Sequence, residues 1–383
     1  MARRPSSPSP RPRARVPRPQ AKAARPRVRT IAALAAVVFV AFLGSAAWWR
    51  STTLSRTLAR AEAASRAGDH VTALEAWRAV NATSQARSAS LLAEAHAALA
   101  LGRAGEADGA LARAAEADPT NSEPWRYRLE RFRVLDLPLA ALDVGWAAYA
   151  AVPSTARRGV LRDLTLALIA DLPEDLARPT LARWADANPN LPDLDARVAL
   201  LRRFSSMPRE GDPDRATRIA ELTALLASHP EHVAAREALV SDLADAGEPE
   251  RGRALLDAWP KPLRDARYER LRGRWEIDYD HQPSLAVSAF QAAIESLPHD
   301  WKTRVRLSRS LHSLGRQPEA RQEAETVSRI RETLDPVKLG PRLAADLDRL
   351  DAPKSLLDLA DLCARAGLAR LSEAWRREAV SAR

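Results

Sequence analysis

The side chains able to do chemistry are few and scattered. His229 and His232 lie three residues apart and could offer two imidazoles to a metal, but Pro230 interrupts them and no further ligand stands nearby. They read as part of a loop between helices, and no metal site is expected. Cys363 is the single cysteine, which excludes an intramolecular disulfide and leaves a cysteine-based metal cluster without ligands. Its spacing from Leu356 and Leu359 puts it on an apolar helix face, so a buried thiol is expected. Asn81-Ala82-Thr83 matches a glycosylation acceptor, a short pattern that matters only in a eukaryotic secretory route. There is no glycine-rich loop followed by Lys-Ser or Lys-Thr, and no GxGxxG, GxSxG or HExxH. The chain therefore reads as non-catalytic, without cofactor or metal, and its function is expected in a binding surface.

The elements that would position such a surface begin after an unusual first fifty residues. Ten Lys and Arg precede Thr30 with no acid among them, and the first carboxylate is Glu62. The whole chain carries 59 basic and 49 acidic residues, so the remainder beyond the tail is neutral. A basic body suited to nucleic acid is thereby disfavoured. Residues 1–30, rich in Pro, Arg and Ser, are expected to be disordered. Ile31–Trp49 is a run without charge. As a helix it would span about 28 Å, close to the hydrocarbon thickness of a bilayer. Trp48 and Trp49 at its far end suit the interface, and the cations before it predict a cytoplasmic N-terminus with the rest extracytoplasmic, in a bacterium the periplasm. Two alternatives are an exported protein cleaved near Trp48, after the small residues Ser45 and Ala47, and a tail that binds anionic lipid or nucleic acid.

From Leu54 onward the pattern is helical and recurs about every 34 residues. Ala107, Ala141, Ala177 and Ala286 each lie twelve residues before a proline, at Pro119, Pro153, Pro189 and Pro298. Ala114, Ala148 and Ala293 stand five before three of those prolines, and Trp184 before the fourth. Gly68, Gly102, Gly247, Gly315 and Gly367 mark turns between paired helices. Bulky Trp77, Leu111 and Phe290 share one repeat position, and Trp125 fills another. Small residues let two antiparallel helices approach, and proline stops the unit before the next begins.

This combination resembles the tetratricopeptide repeat, a helix–turn–helix unit of 34 residues. The resemblance implies an all-α solenoid of antiparallel helix pairs, preceded by the basic tail and one transmembrane helix. The expected organisation is 1–30 tail, 31–49 membrane helix, 54–191 first array, 192–214 irregular linker or insertion, 215–334 second array, and 335–383 C-terminal helices with a capping repeat. Ser205–Pro213 reads as a loop, Arg218 and Trp259 stand where small residues are usual, and Arg376, Arg377 and Glu378 suggest a solvent-facing cap. The resemblance also implies that first helices line a groove for unknown protein or peptide partners. Its candidate residues are Arg126, Glu130 and Arg133, then Tyr268, Trp275 and Tyr279, then Arg309 and His312. Aromatic rings with arginine suit a binding hot spot, although the same rings could simply pack between helices, and Arg126, Glu130 and Arg133 could pair locally. The carboxylate clamp of chaperone-binding members is not evident.

Overall fold

The computed structural model describes residues 53–382 apart from 84, 85 and 171. The tail 1–30 and the apolar segment Ile31–Trp49 lie outside the described residues. No described helix is long and apolar enough to cross a membrane. Contacts divide the chain into Met1–Arg56 and Thr57–Arg383, and the helical array from residue 57 onward belongs to the second unit.

That array is all-α among the described residues. Helix α1 is described over 53–67. It is followed by α2 (His70–Asn81), α3 (Ser88–Ala100), α4 (Ala104–Ala117), α5 (Ser122–Leu135), α6 (Pro138–Ala151), α7 (Ser154–Ile169) and α8 (Glu174–Asp186). Next come α9 (Leu194–Ser206), α10 (Arg215–Ser228), α11 (Val233–Asp245), α12 (Pro249–Asp257), α13 (Ala266–Asp278) and α14 (Pro283–Ser296). The last are α15 (Trp301–Ser313), α16 (Gln317–Thr333), α17 (Pro336–Leu347), α18 (Pro353–Arg365) and α19 (Ala369–Ser381).

The pairing has a backbone cause that repeats. Left-handed residues fall at Gly68, Gly102 and Asp136, and again at Gly247, His281 and Gly315, in steps of 34. At Gly102 the next N–H, that of Arg103, reaches back to Ala98 O at 2.9 Å; at Asp136 the N–H of Leu137 reaches Phe132 O at 2.9 Å. This closes the carbonyls of the first helix and reverses the chain into the second. Asp136 and His281 show that the turn geometry persists where glycine does not.

The alanines at the repeat positions lie in the core. Ala107, Ala141, Ala177 and Ala286 are wholly buried, as are Ala114 and Ala148. Where alanine is replaced, a compensating change stands opposite. Trp259 is buried and donates its indole N–H to Leu263 O at 3.0 Å. Gly252 makes room for Trp275, whose Cζ2 would lie 2.5 Å from a Cβ added there. Arg218 is buried too, with Nε 3.2 Å from Asp242 Oδ2.

The structure corrects the expected linker over 192–214. Residues 194–206 form α9, capped by Asp193, whose side chain accepts from Ala196 N, and anchored by Val198, Leu200 and Leu201. The apolar face and the cap decide for helix. Only the stretch after Ser206 is irregular, and Arg178 pins it through Asp212 at 2.7 Å. Residues that fit no repeat register, after Leu334, still form α17, which buries Leu339 and Leu343.

Of the residues expected to form a solvent-facing cap, Arg376 and Arg377 are exposed, but Glu378 is not. One core cluster joins Leu161, Leu164 and Leu168 of α7 to Leu371 and Trp375 of α19. Glu378 is 5% exposed and accepts from Tyr149 Oη at 3.0 Å. Arg370 stacks on Trp146, 4.0 Å from the ring centroid. The closing helix is amphipathic, and its apolar face finds α6 and α7 rather than water. A satellite cluster of Ala266, Ala293 and Leu297 adds Leu139 and Leu142 of α6.

Candidate partner-binding surface

Helices α3, α5 and α7 are first members of successive units; α5 packs beside α7, and α3 reaches α5 through His96. Asn121 caps α5 by accepting from Glu123 N, which fixes the start of the helix that carries most of the surface. Leu129, Phe132 and Leu135 bury one face of α5, leaving Arg126, Tyr127 and Glu130 on the other.

Between α5 and α7 lies an open cleft of about 530 Å³. Arg126 Nε meets Asp163 Oδ2 at 2.7 Å, and Arg162 Nη2 meets Asp163 Oδ1 at 2.7 Å. Glu130 pairs with Arg133 at 3.3 Å, one turn along α5, and Arg133 Nε also donates to Ala170 O at 3.4 Å. Tyr127 is 40% exposed and its ring stands edge-on to His96 of α3, 5.4 Å between centroids. His96 Nε2 is 3.2 Å from Glu123 Oε1. The result is a polar wall of exchangeable ion pairs around one exposed phenol. Such pairs are worth little in water, so a partner can displace them at small cost.

The second set of candidates divides. Tyr268 is buried, edge-on to Trp259 at 5.5 Å and beneath the Arg264 guanidinium at 4.5 Å. Trp275 is 1% exposed, donates to Pro249 O at 3.4 Å and lies 5.2 Å from the half-buried ring of Tyr279. Tyr279 Oη donates to Ala244 O at 3.5 Å. Burial puts Tyr268 and Trp275 out of reach of a partner, because Gly252 draws the indole between helices. Arg309 and His312 of α15 are exposed and lie apart from the α5–α7 cleft.

Three participants escaped the sequence reading. His96 occupies the position of Glu130 one unit earlier, so a step of 34 would have found it. Tyr127 is the neighbour of Arg126. Asp163 sits in the unit whose register slips, which hid its equivalence to Tyr127. Elsewhere, His232 caps α11 through Nδ1 and places Nε2 3.3 Å from Asp195, and no group of metal ligands occurs among the described residues. Cys363 is fully buried, and burial pushes its thiol up to about 12, so it stays protonated at neutral pH.

No family model matches this chain, and no curated protein does. Among solved structures it is similar to a tetratricopeptide repeat protein from Parabacteroides merdae ATCC 43184. The identity is 15% and the TM-score 0.31, with 67% of this chain and 98% of that chain covered. A superposition at that score carries no argument; the paired-helix architecture rests on the turns and buried alanines described above.

Proposed function

We propose that this chain is a membrane-anchored, non-catalytic scaffold of the tetratricopeptide type, with its helix pairs outside the cytoplasm and protein partners held on its first helices. The observation that carries the reading is the cleft between α5 and α7, where exposed Tyr127 stands among Arg126, Glu130 and Asp163, with His96 of α3 edge-on to its ring. An exposed aromatic among arginines and carboxylates is the composition of an interface centre. The uncharged run Ile31–Trp49 behind ten cations supports the anchor and its orientation. Ser45 and Ala47 favour a second reading, in which the segment is cleaved and the array is released.

A photo-crosslinking side chain at position 127 tests the surface in membranes of the native host, with the same probe at exposed Val71 as reference. A discrete adduct from position 127 that disappears with Arg126→Glu is expected. Identical adduct patterns from both positions would reject the cleft.

A further inference from the structure

Helix α1 opens the described array at residue 53, shortly after Trp49 ends the uncharged run. A chain covers at most about 3.6 Å per residue, so Thr53 lies within about 15 Å of Trp49 by any path. One face of α1 is inward, with Ala61 and Ala64 buried. The opposite face carries Arg56, Ala59, Ala63 and Arg66, at the i, i+3, i+7, i+10 spacing of one helical stripe, with Arg60 beside it. All five are exposed, and no described element precedes this helix.

The arginines of that stripe are unspent. Arg56, Arg60 and Arg66 make no ion pair among the described residues, and Arg66 Nε donates only to the backbone, Glu62 O at 3.3 Å. Glu62 is the single acid of α1, at the margin of the stripe. Asp69, the next acid, feels the charge of Arg60 but is engaged as the cap of α2, accepting from Thr72 N. Arginines on later first helices meet carboxylates instead, as Arg126 meets Asp163 and Arg270 meets Glu237. Positive charge is therefore left over on α1, on the face turned away from the core.

Anionic headgroups attract cations held at a bilayer surface, each contributing about fivefold to the bound population. Alanines between the arginines let a flat surface approach, and the arginine stems let guanidinium groups reach phosphate oxygens. We propose that α1 lies along the bilayer, with Arg56, Arg60 and Arg66 on anionic phospholipid headgroups, and so holds the start of the array against the membrane. The inference rests on the anchor reading, which brings the bilayer within reach of α1.

A quenching experiment on the full chain tests it. Cys363 is buried, so Ala63→Cys, or Leu285→Cys on α14 as reference, takes a bimane label alone. The labelled chain is reconstituted in phosphatidylcholine vesicles, with or without phosphatidylglycerol, that contain a doxyl lipid as quencher. Flotation with the neutral vesicles reports the anchor, and quenching reports α1. Position 63 should be quenched in the anionic vesicles and position 285 should not. Each of Arg56→Gln, Arg60→Gln and Arg66→Gln should lower the ratio of quenched to free label by up to about fivefold, and about 1 M salt should remove the quenching. The melting temperature should not move, because none of the three holds a structural partner. Equal quenching at the two positions, equal quenching in the two kinds of vesicle, or an unaffected triple variant would overturn the proposal. A disulfide-linked dimer of unlabelled Ala63→Cys in place of quenching would also overturn it and give the face to a second copy. Flotation without quenching refutes this inference alone, whereas failure to float refutes the anchor and this inference with it.

Discussion

The indole N–H of Trp375 donates to Thr165 Oγ at 3.1 Å, across 210 residues of chain, and Thr165 Oγ in turn donates to Leu161 O at 2.7 Å. Both side chains are fully buried. The last helix is thereby tied to the seventh. Thr165→Val leaves the indole donor unsatisfied and should cost about 1–3 kcal/mol. Trp375→Ala should cost about 3–5 kcal/mol through the cavity it opens. Urea unfolding of both variants checks this, and an unchanged midpoint for Thr165→Val would show that the bond contributes nothing.

The left-handed turns make a paired prediction. An L side chain at φ +77 is strained, and a Cβ at Gly247 meets nothing within 4 Å, so Gly247→Ala should cost about 1–2 kcal/mol from backbone alone. The reverse substitution at His281, φ +54, should be neutral or stabilising by up to about 1 kcal/mol. Thermal melts of both variants measure the difference, and losses of equal size would contradict the shared turn geometry.

Acid should weaken the second half of the array through Arg270. Burial pushes Glu237 up, but the charges of Arg270, Arg202 and Arg267 more than offset it, and its carboxyl ends below the usual range. Burial also raises Asp300, and Arg270 with the Thr303 hydrogen bonds again brings it below. Folded values lowered in this way mean that the unfolded chain takes up protons first. The contribution is whole above about pH 5 and is lost as pH falls through the folded values. Arg270 keeps partial solvent access, so Arg270→Gln should cost about 1–3 kcal/mol near neutrality, less than for a fully enclosed pair. The gap between the two proteins should shrink toward pH 3. A gap that does not vary with pH would remove Arg270 as its source.

The proposed anchor predicts where the mature chain begins. Mass spectrometry of the membrane fraction should find Ile31–Trp49 retained, and external protease should reach the repeats but not the tail. A mature product starting at Trp48 would favour the released form.

Much of the architecture was legible because the repeat is written in small residues. Ala107, Ala141 and Ala286 are wholly buried in the array. Gly68, Gly102, Gly247, Gly315 and Gly367 are all left-handed. The turns at Asp136 and His281 were invisible because polar residues tolerate that conformation without announcing it. Helix α9 was hidden because its loop-like tail, Ser205–Pro213, coloured the reading of the residues before it. The site was only half legible: spacing identifies a repeat position, but exposure depends on what stands opposite. Tyr279 and Trp275 look like interface aromatics until Gly252 is seen to receive the indole. Arg126 and Glu130 remained outside because Leu129 and Phe132 took the inward face. Contacts such as that of Glu378 with Tyr149 join distant parts of the chain, and local periodicity carries no record of them.

The bond between Trp375 and Thr165 also restricts how this protein can evolve. Arrays with free ends tolerate duplication or loss of a unit, since each repeat needs only its neighbours. Here, inserting or deleting one helix pair between α7 and α19 would carry the tryptophan away from its threonine and uncover both aliphatic faces. The number of helix pairs between α7 and α19 is consequently fixed by that contact, and length variants should be tolerated only on the N-terminal side of α6.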